Sequence, residues 1–264
     1  MGIKLVVVGA AGRMGRRIIA MGMESGRFEL AGAVDAASHP EAGKDAGVLA
    51  GVGALGVHVG ADWPSGADVV IDFSLPQAAD ATMAWCASNT VPLVMGTTGL
   101  SDAHKASLQA AAKKTAVVYA TNMSVGMNAL FALVGKAAAM LGDAYDIEII
   151  EQHHRFKKDA PSGSAITLAE NICEATGRDV KTALVHGRGG VSPRKPGEIG
   201  MHAVRAGDIT GIHSVMYGTL GEVVTLSHTA HSRDTFVQGA LRAAEWLMDR
   251  GSGFYSMRDV LGIE

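Results

Sequence analysis

Two histidines, an arginine and two lysines fall within six residues, at His153-His154-Arg155-Phe156-Lys157-Lys158. Cations crowded in this way depress one another's proton affinity and attract anions. That suits a general acid beside a lysine that holds a carboxylate. Ser162-Gly163-Ser164 follows and opens a helix, whose free N–H groups and hydroxyls favour a second carboxylate. The same stretch also reads as a solvated basic loop followed by a serine N-cap. No metal is expected. Adjacent histidines on a strand point to opposite faces, and Glu151 is the only carboxylate with plausible reach. His228 and His231 read as strand-end and helix-start residues.

A second constellation lies near the N-terminus. Gly9-Ala10-Ala11-Gly12-Arg13-Met14-Gly15 follows a short apolar run, and Asp35 stands 20 residues beyond Gly15. Glycines here permit a tight turn and let helix N-terminal N–H groups approach a pyrophosphate, while the acid can accept hydrogen bonds from a ribose. On strand–turn–helix this pattern points to a nicotinamide cofactor. Its phosphorylation state stays open, because Ala36 rather than Arg follows Asp35. Arg13 and Arg16 either reach a phosphate or are solvated helix residues. Gly96-Thr97-Thr98-Gly99 and Ala120-Thr121-Asn122-Met123 also end strand-like runs, either as ligand loops or as ordinary turns.

These residues need a frame. The first half alternates strand and helix signals: strand Ile3–Val8, helix Arg13–Met23, strand Phe28–Asp35, strand Asp68–Phe73, helix Gln77–Ser88, strand Val91–Met95, helix Asp102–Lys114 and strand Ala116–Ala120. Residues 36–66 read as loops with a short strand near Val57–Val59. Such repeats predict a doubly wound parallel sheet. After Asn122 the rhythm changes to a long apolar helix over Val125–Leu141, strand Tyr145–His154 and a helix from Ser162 that stops at Gly177. Strands at Met201–Arg205, Gly211–Tyr217 and Glu222–Thr229 would join Tyr145–His154 in a roughly four-stranded mixed sheet of an α+β domain. A final amphipathic helix over Arg233–Met248 can dock on either domain.

Composition excludes other classes. With 23 basic and 26 acidic residues the chain carries −3, and aromatics are 5%, which argues against a nucleic-acid partner. The apolar stretch Ala129–Leu141 is interrupted by Lys136, so no membrane span is expected. Cys86 and Cys173 stand alone, without a Cys-x-x-Cys pair, which suggests a reduced, cytoplasmic protein. The 34 glycines exceed the usual share of about 7%. Those in segments 43–60 and 187–200 have no assignable role.

The chain resembles the 4-hydroxy-tetrahydrodipicolinate reductase (dihydrodipicolinate reductase) family of lysine and diaminopimelate synthesis. The likeness rests on the glycine turn, Asp72-Phe73-Ser74, Gly96 to Gly99, Asn122-Met123-Ser124-Val125-Gly126, His231-Ser232-Arg233 and Glu151 through Ala165. Within that last stretch Ser164 replaces Thr. The resemblance implies a Rossmann-like nucleotide domain (residues 1–124 and 234–264) with an inserted α+β domain (residues 125–233) for substrate binding and oligomerisation. It implies NADH or NADPH as cofactor, a small cyclic dicarboxylate as substrate and a homotetramer built through the second domain's sheet. His153 would be the acid/base and Lys157 the cationic donor, with His154, Gly163 and Ser164 as substrate ligands. The cofactor cradle would comprise Gly9, Ala10, Ala11, Gly12, Arg13, Met14, Asp35, Gly96, Thr97, Thr98, Ala120, Thr121, Asn122 and Met123. Two positions depart from the family pattern: Ala36 stands where Arg is common, and Met123 where Phe is frequent. The expected reaction is reduction of the cyclic substrate by the nucleotide, with protonation by His153. Another two-domain nucleotide-dependent reductase and a non-catalytic nucleotide sensor are the rival readings.

Overall fold

The β-branched run at the start of the chain forms β1 (Ile3–Val8), and its side chains divide between two cores. Leu5 and Val7 face one side, Val6 and Val8 the other. That division is what a parallel strand covered on both faces requires. The computed structural model describes residues 2–263. After β1 come α1 (Arg13–Glu24), β2 (Phe28–Val34), α2 (Ala46–Ala50), β3 (Val59–Gly60), β4 (Val69–Asp72), α3 (Pro76–Asn89), β5 (Leu93–Met95), α4 (Asp102–Ala112) and β6 (Ala116–Tyr119). The chain then runs through α5 (Val125–Leu141), β7 (Asp146–His153), α6 (Gly163–Thr176), α7 (Val180–Ala183), β8 (Leu184–His186), β9 (Ile199–Arg205), β10 (Gly211–Thr219) and β11 (Glu222–Ala230). It finishes with α8 (Asp234–Leu247), β12 (Gly253–Tyr255) and α9 (Met257–Leu261).

Two compact units result, one running to Val125 and resuming at Asp234, the other spanning Gly126–Arg233. The first holds a seven-stranded sheet in the order β12-β6-β5-β4-β1-β2-β3, with every pairing parallel. Helices α1 and α8 cover one face and α3 and α4 the other. The expected doubly wound sheet is therefore the one formed, with α8 in its core through Val237, Ala240, Leu241, Ala244 and Leu247. Strand order reverses between β1 and β4, and the crevice beyond the carboxyl ends of such a pair is where open parallel sheets take ligands.

The second unit holds a mixed sheet, β11-β10-β7-β9-β8. It has five strands, against the four expected. The extra strand, β8, is three residues long and pairs in parallel with β9, too short to show a period of its own. Ile147, Ile149, Ile199, Met201, Val215 and Tyr217 pack under α5 and α6. Tyr217 is fully buried, and its hydroxyl donates to the Val134 carbonyl at 2.6 Å. The helices of this unit all contribute to that one face. The opposite face, bearing Ile150, Ile212 and Met216, carries no helix among the described residues. No helix among them is long and apolar enough to cross a membrane.

The glycine-rich stretch after β2 also has a physical account. Asp45 caps α2 and accepts backbone N–H bonds from Gly47, Val48, Leu55 and Gly56, folding the segment around one carboxylate. Gly51 ends α2 in the left-handed region, at φ +83°.

Gly15 is the tightest position in the first turn: a Cβ there would lie 2.2 Å from the Gly9 carbonyl oxygen. Gly15→Ala should therefore destabilise the first unit by about 1–3 kcal/mol. Denaturant unfolding should show it as a lowered midpoint, and an unchanged midpoint would contradict this packing.

Candidate active site

In the first unit, β1 runs into Gly9, which takes φ +75° with its Cα packed against the Phe73 carbonyl at the end of β4. Gly12 is the N-cap of α1, which has no side-chain cap and no acid in its first turn. The helix thus presents uncompensated N–H groups to an anion. Beside it lies a cavity of about 570 Å³, lined by Gly9, Gly12, Asp35, His39, Trp63 and Leu75 among others. Asp35 lies at its rim and accepts the Ala11 and Ala36 N–H groups at 3.0 and 2.9 Å. Each carboxylate oxygen keeps lone-pair capacity for a hydroxyl. An apolar cleft ending in an uncapped helix and a carboxylate fits a dinucleotide.

The other cradle residues are placed unevenly. Ala10 and Ala11 are buried beneath the turn, while Arg13 is exposed and Met14 half-buried. Thr97 is buried. Its hydroxyl donates to Asp72 at 2.7 Å and accepts the Ser74 N–H at 2.9 Å, joining the ends of β4 and β5. It holds the loop in shape, and the backbone of Gly96 and the exposed Thr98 remain to face a ligand. Ala120 and Asn122 are half-buried and Thr121 exposed. Met123 is buried in the core against α8, where a Cβ on Gly239 would strike its carbonyl oxygen. Its side chain serves packing.

In the second unit, β7 ends by presenting Glu151 and His153 on one face, two residues apart. Glu151 is completely buried. Arg205 grips it with both terminal nitrogens, at 2.7 and 2.8 Å, and the Ser162 N–H adds a third bond at 3.0 Å. His153 Nδ1 lies 2.6 Å from its remaining contact, Oε2. Burial pushes the Glu151 carboxyl up, but Arg205, His153 and the Ser162 N–H outweigh it and hold it below the usual range. An ionised Glu151 keeps a proton on His153 Nδ1 and leaves Nε2, beside Gly211, to take up and release another.

Burial lowers the proton affinity of His153; Glu151 opposes this, and the charges of Lys157 and Arg205 reinforce it. Lys157 Nζ contacts both oxygens of Asp159 at 2.8 Å, yet Asp159 is 61% exposed, so the pair is weak and the lysine exchangeable. Ser162 caps α6, accepting the Ala165 N–H, and its hydroxyl meets His213 Nε2 at 3.2 Å. Gly163 and Ser164 form the first turn of that helix. His154 points away from the Glu151–His153 pair and lies near Phe156, so the adjacent histidines do not form one cluster. Among the described residues no three His, Cys, Asp or Glu side chains converge as a metal site.

Two residues of this site, Arg205 and His213, carry no signal in the sequence. Register explains why: Arg205 pairs with His153 across β9, and His213 with Glu151 across β10. Only the strand pairing reveals either neighbour. Glu151 itself was legible as an acid two residues before His153.

His213 packs edge-on to His153, with ring centroids 5.1 Å apart. Burial, with His153 and other nearby charges, pushes its pKa from an ordinary 6.5 to about 4. The unfolded chain therefore binds more protons than the folded one between those values, and stability falls as the pH drops through them. This one histidine should contribute up to about 1.4 kcal/mol per pH unit, with His153 and Glu151 adding in the same direction. Urea unfolding across that window should show the slope, and His213→Gln should flatten it by about that amount. An identical slope in the variant would contradict the buried neutral histidine.

Residues 3–123 match the family model for the N-terminus of dihydrodipicolinate reductase, and residues 126–261 the model for its C-terminus. The chain is 46% identical over 263 residues to the 4-hydroxy-tetrahydrodipicolinate reductase of Chromobacterium violaceum, covering 98% of each chain. It is 45% identical to that of Halorhodospira halophila, covering 100% of both. Its fold matches a dipicolinate-bound dihydrodipicolinate reductase from Paenisporosarcina sp. TG-14 with a TM-score of 0.72 and 24% identity, over 97% of this chain and 98% of that one.

Proposed function

The chain belongs to the dihydrodipicolinate reductase family, and from that premise we propose that it reduces 4-hydroxy-tetrahydrodipicolinate to tetrahydrodipicolinate in lysine and diaminopimelate synthesis. The observation that carries the chemistry is the buried Glu151 carboxylate bonded to His153 Nδ1, with Lys157 on the following loop. NADH or NADPH, held by the Gly9–Met14 turn, Asp35 and the loops at Gly96–Thr98 and Ala120–Asn122, would when bound supply a hydride from its nicotinamide. The overall change takes up that hydride and one proton and releases one water.

The residues of this chain do the rest. Lys157 exchanges Asp159 for a substrate carboxylate, and the N-terminus of α6, at Gly163 and Ser164, holds the other. His154, turned away from the Glu151–His153 pair toward Phe156, stands outside this set. His153 donates the proton from Nε2 to the ring once hydride addition has made it electron-rich, and Glu151 steadies the imidazolium form beforehand. A dianionic substrate also offsets the repulsion between His153, Lys157 and Arg205. It thereby raises the fraction of His153 that carries the second proton.

A sensor would need no such proton donor, and this disfavours the non-catalytic alternative. The open face of the second unit's sheet, with Ile150, Ile212 and Met216 uncovered by its helices, supports a homotetramer built through that face. Two buried free thiols, Cys86 and Cys173, fit a reducing compartment such as the cytoplasm.

The assay is the loss of nicotinamide absorbance when the protein meets the freshly made hydroxy-tetrahydrodipicolinate. His153→Ala and Lys157→Ala should each lower turnover at least about a hundredfold. Near-normal turnover in both would sink the assignment. Sedimentation should give the mass of four chains, reduced by Ile212→Asp; a monomeric parent would rule out the assembly.

A further inference from the structure

The turn that follows β2 carries an arrangement of charge that the reductase reading leaves unused. Arg16, on the first turn of α1, donates through Nε to the Ala11 carbonyl at 2.7 Å. Ala11 is the residue whose N–H holds Asp35. The other end of the Arg16 guanidinium meets Glu41 at 3.4 Å, and Lys44 Nζ meets the second oxygen of Glu41 at 2.5 Å. Glu41 is thus clasped by both cations of this corner. Its carboxyl is held below the usual range, first by the Lys44 bond and then by Arg16, so it is ionised at neutral pH.

The cavity's ribose edge is formed by Asp35, Ala36 and His39. His39 Nδ1 is already occupied, accepting the Glu41 N–H at 3.1 Å. A 2′-phosphate brings about two negative charges at neutral pH. It would meet the Asp35 carboxylate, a neutral alanine and, behind them, two cations that share Glu41, which offsets one of their two charges and holds both side chains. A ribose 2′-hydroxyl, by contrast, meets an acceptor suited to it in Asp35. Arg13 is exposed at the first position of α1, the helix end that faces the pyrophosphate common to both nucleotides.

We propose that Glu41 is a nucleotide-selectivity residue: by engaging Arg16 and Lys44 it withholds the cations that a 2′-phosphate needs, and biases the cavity toward NADH. This rests on the pyridine-nucleotide reading of the same cavity. The bias comes from charge alone, since a surface ion pair of this kind contributes little to stability.

Calorimetric titration of the substrate-free protein with NADH and with NADPH, at low ionic strength where surface charge is least screened, provides the test. NADH should bind at least about tenfold more tightly, a difference of about 1.4 kcal/mol. Glu41→Gln should tighten NADPH at least about fivefold, near 1 kcal/mol, while moving NADH by less than about twofold. Adding Arg16→Gln to that variant should cancel most of the gain, as a coupled pair requires. Equal affinities in the parent, a preference for NADPH, or parallel changes for both nucleotides in Glu41→Gln would overturn the proposal. Failure of both nucleotides to bind the parent would instead remove the nucleotide reading itself, and this inference with it.

Discussion

A carboxylate with no exposure to water sits at the centre of the second unit, and the arrangement around it depends on keeping it charged. Glu151 would cost several kcal/mol if left alone in the interior. Arg205 removes that cost with a two-pronged grip, and in doing so fixes the end of β9 against the end of β7. Its Nη2 also donates to the Asp159 carbonyl at 2.6 Å, so the loop carrying Lys157 is pinned by the same guanidinium. The Ser162 N–H on Glu151 sets where α6 begins. Orientation of the histidine, placement of the lysine loop and the start of the anion-facing helix are consequences of one ion pair.

The first unit solves a different problem, that of bringing backbone close to a ligand without side chains in the way. Several of its glycines are demanded by the protein's own packing. A Cβ on Gly9 would crowd Phe73, and one on Gly96 would enter the Phe73 ring. Phe73 follows β4 directly, so the strand-order reversal, the glycine turn and the Gly96 loop converge on one aromatic residue. Asp72, just before it, ties Ser74 and Thr97 together with a single oxygen. The shape of the cavity is therefore set by contacts between strand ends.

How far the amino-acid sequence discloses this depends on the kind of information involved. Runs such as Ile3–Val8 are legible because an apolar stretch ending in glycine has few alternatives. The helix starts at Pro76 and Ser162, and the stop at Gly177, are written in single residues with known backbone preferences. Short pieces are not legible in this way: β12 is three residues that become a strand only through pairing with β6. The segment 43–56 looks featureless because its order comes from one aspartate collecting distant N–H groups. Arg205 and His213 lie beyond reach for a related reason, since sheet register is a property of two strands and neither alone encodes it. The family motif marks the stretch around Glu151 without disclosing which distant residues complete it.

The first unit is built from two separated stretches of chain, and this sets the order in which the protein can assemble at the ribosome. The parallel sheet needs α8 to cover one face, and α8 begins only at Asp234, after the whole second unit has been made. The second unit is contiguous, and its core of α5, α6 and the mixed sheet is complete by β11. It can therefore close its core while the earlier-made strands still expose apolar surface, the reverse of the usual N-terminal-first order. During that interval β1, β4 and β6 depend on being shielded from other chains, and the folding of the nucleotide-binding half is timed by the synthesis of α8.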